Sequence, residues 1–184
     1  VQAQVLPMSD QPVRTWVETP EGLLPFQEYF VRRRTEPEVK GIVLRGIESA
    51  RPAPGVLEAI QQAAGVIIAP SNPIISVGPI LALPGVRQAL AETPAPVAAV
   101  SPIVAGAAIK GPADRMMKGL GLEVSAVGVA KLYRDFLDAF VLDQRDASLK
   151  PHIEALGMRV RVTDTIMASR EVAVSLARTV LQAL

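Results

Sequence analysis

The stretch 65-GVIIAPSNPIISVGPILALPGV-86 decides the fold of this chain. It opens with an apolar β-branched run, continues with Pro-Ser-Asn-Pro, and contains four prolines and no charged residue. By length it could span a membrane, for which about 20 apolar residues suffice. The prolines argue against a span, because each removes a backbone donor that lipid cannot replace. The stretch is therefore predicted to be a buried strand, a loop and a helix.

The segments around this stretch repeat the alternation of strand and helix. Strands are predicted over 41–46, 65–69, 96–101, 122–127, 139–143 and 158–164, and helices over 55–64, 79–90, 114–120, 129–137, 147–156 and 169–184. Apolar strands that alternate with helices are typical of a parallel sheet covered on both faces. We therefore predict an α/β fold with a doubly wound, mainly parallel Rossmann-like sheet. The opening segments, 13–19 and 23–31, predict a β-hairpin or a strand that leads into a helix.

Length and charge limit the function classes. The 184 residues fit a single α/β domain over 1–184. The 19 basic and 18 acidic residues give a net charge of +1, which disfavours a nucleic acid or a membrane surface as the main partner. No cysteine occurs, so a disulfide framework and a thiolate nucleophile are excluded. Because 1–4 lacks the features of a secretory signal, we expect a cytoplasmic protein.

Two loops should open at one edge of the sheet, where doubly wound folds bind their ligands. The first runs from Pro70 to Ser76, and its prolines restrict the backbone before any ligand arrives. Ser71 and Asn72 offer a hydroxyl, an amide and backbone donors, and a helix begins after Ser76, an arrangement that suits a phosphate. The alternative is that Ser71 and Asn72 are ordinary turn residues and that Ser76 or Gly78 is a helix cap.

The second loop follows strand 96–101. It starts at Ser101 and reaches Lys110, whose ammonium could pair with a phosphate or carboxylate. The alternative for Lys110 is a solvated surface charge. The sequence contains no G-x-G-x-x-G after a strand, no G-x-x-x-x-G-K-[ST], no serine nucleophile elbow and no H-E-x-x-H.

Several other polar residues are weaker candidates. His152 lies in a predicted helix, where a surface role is the simpler explanation. Asp143 and Asp146 could hold a metal, although Asp146 is also placed to cap the following helix. The arginines at 32–34 could bind a diphosphate or form a solvated face. The segment 163–167, which holds Thr163, Asp164, Thr165 and Met167, ends another strand and could join the crevice.

Five segments, in order along the chain, carry a family resemblance. They are 5-VLPMSDQPVRTWV-17, 70-PSNPIISVGPILALPGVRQAL-90, 100-VSPIV-104, 109-IKGPADRMM-117 and 163-TDTIM-167. Together they resemble the 2-phospho-L-lactate transferase family of coenzyme F420 biosynthesis, over the later part of that family's usual length. Members of the family begin with a glycine-rich strand-to-helix turn and with aspartates assigned to the metal and the deazaflavin. The resemblance therefore implies the later part of a longer transferase.

The implied reaction transfers a phospholactyl or phosphoenolpyruvyl group from a guanosine-diphosphate-linked donor to the deazaflavin Fo and releases GMP. The resemblance also implies Mg²⁺, with ligands in the part before Val1, and a homodimer. The implied substrate- and nucleotide-binding residues are Pro70, Ser71, Asn72, Pro73, Ser76, Ser101 and Lys110. No catalytic residue and no metal ligand is assigned within the chain.

One departure from the family pattern falls in the second loop. Where the family often has Gly-Gly-Lys, this chain has Ala105, Gly106 and Ala107, so one basic side chain is lost and a close backbone approach at Ala105 is affected. Two alternatives stay open. One is a non-catalytic nucleotide-binding or regulatory protein of the related gluconeogenesis-factor type, whose loop carries Gly-Pro-Gly-Ser. The other is an inactive fragment.

Overall fold

The structure, a computed structural model, describes residues 3–184; Val1 and Gln2, which belong to the segment used for the signal-sequence prediction, lie outside the described residues. The strands are β1 (Arg14–Thr19), β2 (Gly22–Pro25), β3 (Gly41–Arg45), β4 (Val66–Ile68), β5 (Val97–Val100), β6 (Ile103–Val104), β7 (Ala107–Ala108), β8 (Ala139–Asp143) and β9 (Arg159–Thr163). The α-helices are α1 (Val56–Gln61), α2 (Gly78–Leu81), α3 (Val86–Glu92), α4 (Ala113–Gly119), α5 (Ala126–Leu132), α6 (Lys150–Glu154) and α7 (Arg170–Leu181). Two π-helical turns, Glu28–Arg32 and Pro73–Val77, and a 3₁₀-helix, Gln144–Leu149, complete the elements.

The central sheet is parallel and has the strand order β4-β5-β8-β9. Strands β5 and β8 are fully buried because helices pack on both faces. Helix α7 covers one face, where Leu176 and Val180 pack against Ala98, Val100 and Val141. The larger core cluster, which includes Val97, Ala99, Phe140 and Leu142, covers the other face. The predicted α/β fold with helices on both faces of a parallel sheet is confirmed.

The N-terminal part forms a separate antiparallel sheet with the order β2-β1-β3. The predicted hairpin is β1–β2, closed at Thr19↔Gly22, and the π-helical turn follows it, so both alternatives for 13–31 are present. The prediction that strand 41–46 takes part in the parallel alternation is wrong. This strand, β3, pairs with β1, with Val43 opposite Trp16, and Arg45 lies over the Trp16 ring at 3.9 Å.

The predicted strand 122–127 is wrong, because α5 starts inside it. Ser125 has an extended backbone and its Oγ accepts a hydrogen bond from the Gly128 N–H (3.0 Å), which makes it the N-cap of a helix that begins at Ala126. Val127 therefore lies in the first turn of the helix, and Val124 lies just before its N-cap, so neither belongs to a strand. The predicted helix 129–137 correspondingly lies at Ala126–Leu132 and ends in a turn before Asp138, which hydrogen-bonds Val97.

The predicted helix 79–90 is divided in two. Helix α2 ends at Leu81 and α3 begins at Val86, because Pro84 and Gly85 interrupt the helix and Gly85 has a φ of 83°. The last predicted helix is confirmed, and the Ser169 Oγ accepts the Val172 N–H as its N-cap. Among residues 3–184 no single helix is long and apolar enough to cross a membrane. The two helical segments Pro73–Leu81 and Val86–Glu92 reach that length and apolar character only when taken together, and the chain bends by 83° between them.

Candidate functional site

A crevice opens at the carboxyl ends of the parallel strands. Its volume is about 350 Å³, which is within the range of small-molecule sites. The loops that follow β4, β5 and β9 supply its walls: Pro70, Ser101, Pro102, Val104, Ile109, Lys110, Thr165, Ile166, Met167 and Ala168. The sequence placed Pro70, Ser101, Lys110, Thr165 and Met167 here. The remaining five lining residues are apolar. Their residue types do not mark them as site residues, and only their position after the end of a strand could have indicated that they line the crevice.

The Pro-Ser-Asn-Pro loop is held by its own asparagine. The Asn72 Oδ1 accepts hydrogen bonds from the Ile74 N–H (2.9 Å) and the Ile75 N–H (3.3 Å), and the following Pro73 is buried at the start of the π-helical turn. The Asn72 Nδ2 points to the Sδ of Met116 at 3.6 Å. The side chain of Asn72 thus fixes the loop, which agrees with the alternative that Asn72 is a turn residue.

The structure separates the serines of this loop from the crevice. Ser71 and Ser76 line a second groove of about 320 Å³, which runs beside β4 and is otherwise apolar. Pro70, Ser101 and Lys110 come together in the crevice. Asn72 and Pro73 lie between Ser71 and Ser76 in the chain and line neither of these two cavities; Pro73 lines a further pocket with Arg87 and Tyr133. The structure therefore does not bring the seven predicted residues together in one cavity.

Ser101 is buried and its hydroxyl is engaged by the chain itself. The Oγ donates to the Ile103 carbonyl (2.7 Å) and accepts from the Ile103 N–H (3.2 Å). These bonds form the turn that leads from β5 into the β6–β7 hairpin. Ser101 therefore lines the crevice, but its hydroxyl already donates and accepts a hydrogen bond within the chain and has little capacity left for a ligand.

The β6–β7 hairpin turns at Ala105 and Gly106, both with positive φ (50° and 77°). Ala105 is a non-glycine residue in the left-handed region, which costs about 1–2 kcal/mol. Both carboxylate oxygens of Asp146 accept the Ala105 N–H, at 3.0 and 3.1 Å. The prediction that Asp146 caps the following helix is wrong. Asp146 lies within the 3₁₀-helix Gln144–Leu149, whose N-cap is Asp143, and its side chain instead holds the hairpin turn.

Asp143 ends β8 and ties the third loop to the sheet. Its Oδ2 accepts from the Thr165 N–H (2.9 Å) and the Thr165 hydroxyl (3.1 Å), and its Oδ1 accepts from the Arg145 N–H (3.0 Å). Burial disfavours the charged carboxylate, but these hydrogen bonds outweigh it and hold the pKa of Asp143 below its usual value. The carboxylate thereby positions Thr165 and the residues after it along the crevice.

The remaining candidates lie elsewhere. Arg33 pairs with Glu21 in the antiparallel sheet region, and His152 is exposed on α6. Within residues 3–184, no group of three or more His, Cys, Asp or Glu side chains is arranged to hold a metal ion. Asp143 and Asp146 do not line the crevice, and their carboxylate oxygens already accept hydrogen bonds from the chain, so these two residues do not fit a Mg²⁺ site there.

Lys110 is the one charged side chain among the lining residues of the crevice. It is exposed, at the end of the hairpin loop, while Ile109 (47% exposed) and Met167 (55%) present apolar surface beside it. A cation at the rim of an apolar cleft can hold an anionic group and leave a flat apolar body against the walls.

A parallel sheet covered on both faces, with its crevice beyond the carboxyl ends of the strands, defines a Rossmann-like α/β domain of the ligand-binding class. The family described as 2-phospho-L-lactate transferase CofD matches residues 1–180, and the chain belongs to this family. The family predicted from the sequence is thus confirmed.

Relatives with established names agree with this assignment. The 2-phospho-L-lactate transferase of Methanosarcina mazei is 46% identical over 183 residues, which cover 100% of this chain and 60% of the relative. That of Methanosarcina barkeri is 47% identical over 98% of this chain and 58% of the relative. The phosphoenolpyruvate transferase of Kitasatospora aureofaciens is 40% identical over 97% of this chain and 57% of the relative. The chain therefore spans about three fifths of the length of these relatives.

Solved structures agree on the fold. Two crystal structures of a Bacillus halodurans protein, one described as a member of the UPF0052 family, superpose with TM-scores of 0.65 and 0.64 at 16% and 17% identity. The match covers 98% of this chain and 62% of that protein. At this identity the likeness concerns the fold alone.

Proposed function

We propose that the protein is a transferase of coenzyme F420 biosynthesis. It moves a phospholactyl or phosphoenolpyruvyl group from a guanosine-diphosphate-linked donor to the deazaflavin Fo and releases GMP. The observation that carries the proposal is the crevice where the loops after β4, β5 and β9 meet, with Lys110 at its rim, in a chain whose relatives bear transferase names. Both donor types remain in the proposal because relatives of both names match this chain.

The proposed reaction is an in-line substitution at phosphorus. The terminal ribityl hydroxyl of Fo attacks the phosphorus that bears the lactyl or enolpyruvyl group, a new P–O bond forms, and the P–O bond to the bridging oxygen breaks. GMP leaves with that oxygen, and the hydroxyl proton is released. Such a step needs neutralisation of phosphate charge more than a covalent intermediate.

The residues of the crevice take different parts in this proposal. Lys110 pairs with a phosphate oxygen, and the apolar side chains of Ile109, Ile166 and Met167 contact the flat ring system of Fo. Asn72 and Ser101 shape the loops rather than touch substrate, because their side chains bond to the backbone. Ser71 and Ser76 border the neighbouring groove and remain candidate contacts to the donor diphosphate.

Mg²⁺ belongs to the proposal through the family resemblance. It would neutralise the diphosphate charge when bound. The described residues do not fit a Mg²⁺ site, so its ligands would come from the part of the relatives that this chain does not match. A homodimer is proposed on the same resemblance, and a cytoplasmic location is proposed on the lack of cysteine in the sequence.

The second candidate is a non-catalytic nucleotide-binding protein. The likeness to the UPF0052-family protein shows that the fold occurs outside the named transferases, but only at 16–17% identity. The 40–47% identity to named transferases favours the first candidate.

Titration calorimetry with GDP and with Fo, each in the presence of Mg²⁺, tests the proposal. A transferase binds both ligands, and a nucleotide-binding regulator binds GDP without Fo. If neither GDP nor Fo gives heat with the protein extended by the unmatched part of a relative, both candidates are refuted.

A further inference from the structure

The β6–β7 hairpin carries Lys110 to the crevice and has a very short ladder. Only two residue pairs form it, Ile103↔Ala108 and Val104↔Ala107. Lys110 follows β7 by two residues and lines the crevice. Because side chains alternate along a strand, a slip of one residue in this pairing would turn the residues of β7 to the opposite face. The place of Lys110 therefore depends on the register of a hairpin that two residue pairs alone cannot hold firmly.

The turn of this hairpin has a conformation that one of its two residues resists. The loop between the strands consists of Ala105 and Gly106, and both have positive φ (50° and 77°). Two positive φ angles are typical of a type I′ turn, which glycine and asparagine adopt readily. Gly106 meets this requirement, whereas Ala105 is strained by its Cβ in the left-handed region. The turn therefore needs an interaction from outside the hairpin to keep its conformation.

Asp146 supplies that interaction from a different element. It lies in the 3₁₀-helix after β8, is only 7% exposed, and accepts the Ala105 N–H with both carboxylate oxygens. A hydrogen bond from a backbone N–H to a carboxylate is charge-assisted and stronger than one between neutral groups. Among the described residues, the Asp146 side chain hydrogen-bonds nothing else. The buried carboxylate therefore serves this turn alone.

We propose that Asp146 is a positioning residue for the ligand of the crevice. Its carboxylate keeps Ala105 in the left-handed conformation, the turn fixes the register of β6 and β7, and this register places Lys110 at the rim. Asp146 does not line the crevice, so it acts on a ligand only through the hairpin. Its effect on ligand affinity rests on the proposed function, in which Lys110 pairs with a phosphate oxygen, whereas its effect on the hairpin does not.

A second carboxylate provides the matched comparison, because it stabilises the same sheet far from the crevice. The Asp138 Oδ2 accepts the Val97 N–H (2.8 Å) at the start of β5. This bond lies at the amino end of the parallel strands, whereas the crevice lies beyond their carboxyl ends. Loss of the Asp138 carboxylate should lower the stability of the fold without moving Lys110. Asp138→Ala is therefore the control for Asp146→Ala.

Limited trypsin digestion tests the placement of the hairpin without any ligand. Trypsin cleaves after Lys110 and after Lys40, an exposed residue just before β3 that serves as the internal control. Asp146→Ala should accelerate cleavage after Lys110 about tenfold and cleavage after Lys40 less than about twofold, because only the hairpin opens. Asp146→Asn should stay closer to the parent, since its amide oxygen can still accept the Ala105 N–H. Equal acceleration after both lysines would overturn the proposal, because the opening would then be global.

A glycine at position 105 should make the carboxylate dispensable. Glycine adopts a positive φ without strain, so the type I′ turn forms without an outside partner. In the Ala105→Gly background, Asp146→Ala should therefore change the cleavage rate after Lys110 by less than about threefold. Ala107→Gly, which places the glycine in β7, should give no such rescue. The same acceleration by Asp146→Ala with and without Ala105→Gly would overturn the role of the turn.

The affinity for GDP tests the consequence for the ligand. In titration calorimetry, Asp146→Ala should weaken GDP binding about fivefold, and Asp138→Ala should leave it unchanged. On top of Lys110→Ala, the Asp146→Ala change should add less than about twofold, because both changes remove the same contact. Equal losses for Asp138→Ala and Asp146→Ala, or fully additive losses with Lys110→Ala, would overturn the positioning role. If the parent protein binds no GDP, the proposed function fails, and the trypsin result still decides whether Asp146 places the hairpin.

Discussion

Replacing Asp143 by asparagine should destabilise the protein in a pH-dependent manner. The carboxylate is buried and accepts three hydrogen bonds, two from Thr165 and one from the Arg145 N–H. The asparagine oxygen can face Thr165, but its NH₂ then meets the Arg145 N–H, donor against donor. One charge-assisted bond is lost and two are weakened, which should lower the free energy of unfolding by about 2–3 kcal/mol at pH 7.

The pH dependence follows from the lowered pKa of Asp143. A carboxyl group with a lowered pKa in the folded state contributes stability above its unfolded pKa of about 3.9, and this contribution is lost as pH falls through the folded pKa. The difference between Asp143→Asn and the parent should therefore be full at pH 7 and should narrow below about pH 4.

Urea denaturation from pH 3 to pH 7 measures this difference. Asp10→Asn, at an exposed carboxylate, is the matched control and should change the free energy by less than about 0.5 kcal/mol at any pH. A constant difference from pH 3 to pH 7 for Asp143→Asn would refute the role of the ionised carboxylate. A difference under about 0.5 kcal/mol at pH 7 would refute the hydrogen-bond geometry itself.

Variants at Asn72, Ala105 and Lys110, each with a comparison variant, test the loops. Asn72→Ala should lower the free energy of unfolding by about 1 kcal/mol, whereas Asn72→Asp should retain the cap and most of the stability, as chemical denaturation can show. Ala105→Gly should raise the Tm, because relief of about 1 kcal/mol of strain in the left-handed backbone outweighs the added entropy of the unfolded chain. Ala107→Gly in β7 is the comparison and should lower the Tm. A lower Tm for both variants would contradict the strain at Ala105. Lys110→Ala should weaken GDP binding on the order of tenfold in calorimetry while Lys118→Ala leaves it unchanged, and equal affinities would remove Lys110 from the site.

The sequence predicted the strands that hydrophobic runs define, and failed where a single local interaction decided the structure. Strand β5 is apolar throughout, β8 is apolar up to its last residue, Asp143, and both are buried, so their pattern is unambiguous. In 122–127 the same kind of pattern misled, because the hydroxyl of Ser125 starts a helix within it. The pairing of β3 with β1 depends on contacts between distant segments, which periodicity does not contain.

The candidate site was likewise predicted from the sequence only in part. The rule that ligands bind beyond the carboxyl ends of parallel strands predicted that the loops holding Pro70, Ser101 and Lys110 face one crevice, and these three residues line one crevice in the structure. It could not show that the Ser101 hydroxyl is spent on Ile103, or that Asp146 holds the Ala105 turn, because those bonds depend on side-chain geometry. The order of strands and loops therefore located the crevice, whereas the hydrogen bonds of the polar side chains in and around it could be read only from the structure.

The most direct test of the proposed function is a product assay on the protein extended by the unmatched part of a relative. Fo, Mg²⁺ and the guanosine-diphosphate-linked donor are incubated with the protein, and mass spectrometry follows Fo and GMP. The account predicts one GMP for each Fo that gains a phospholactyl or phosphoenolpyruvyl group, with a slower rate for Lys110→Ala and not for Lys118→Ala. The account would be contradicted if GMP were released while Fo stayed unmodified. It would also be contradicted if Fo and the donor both bound to the protein but neither was converted.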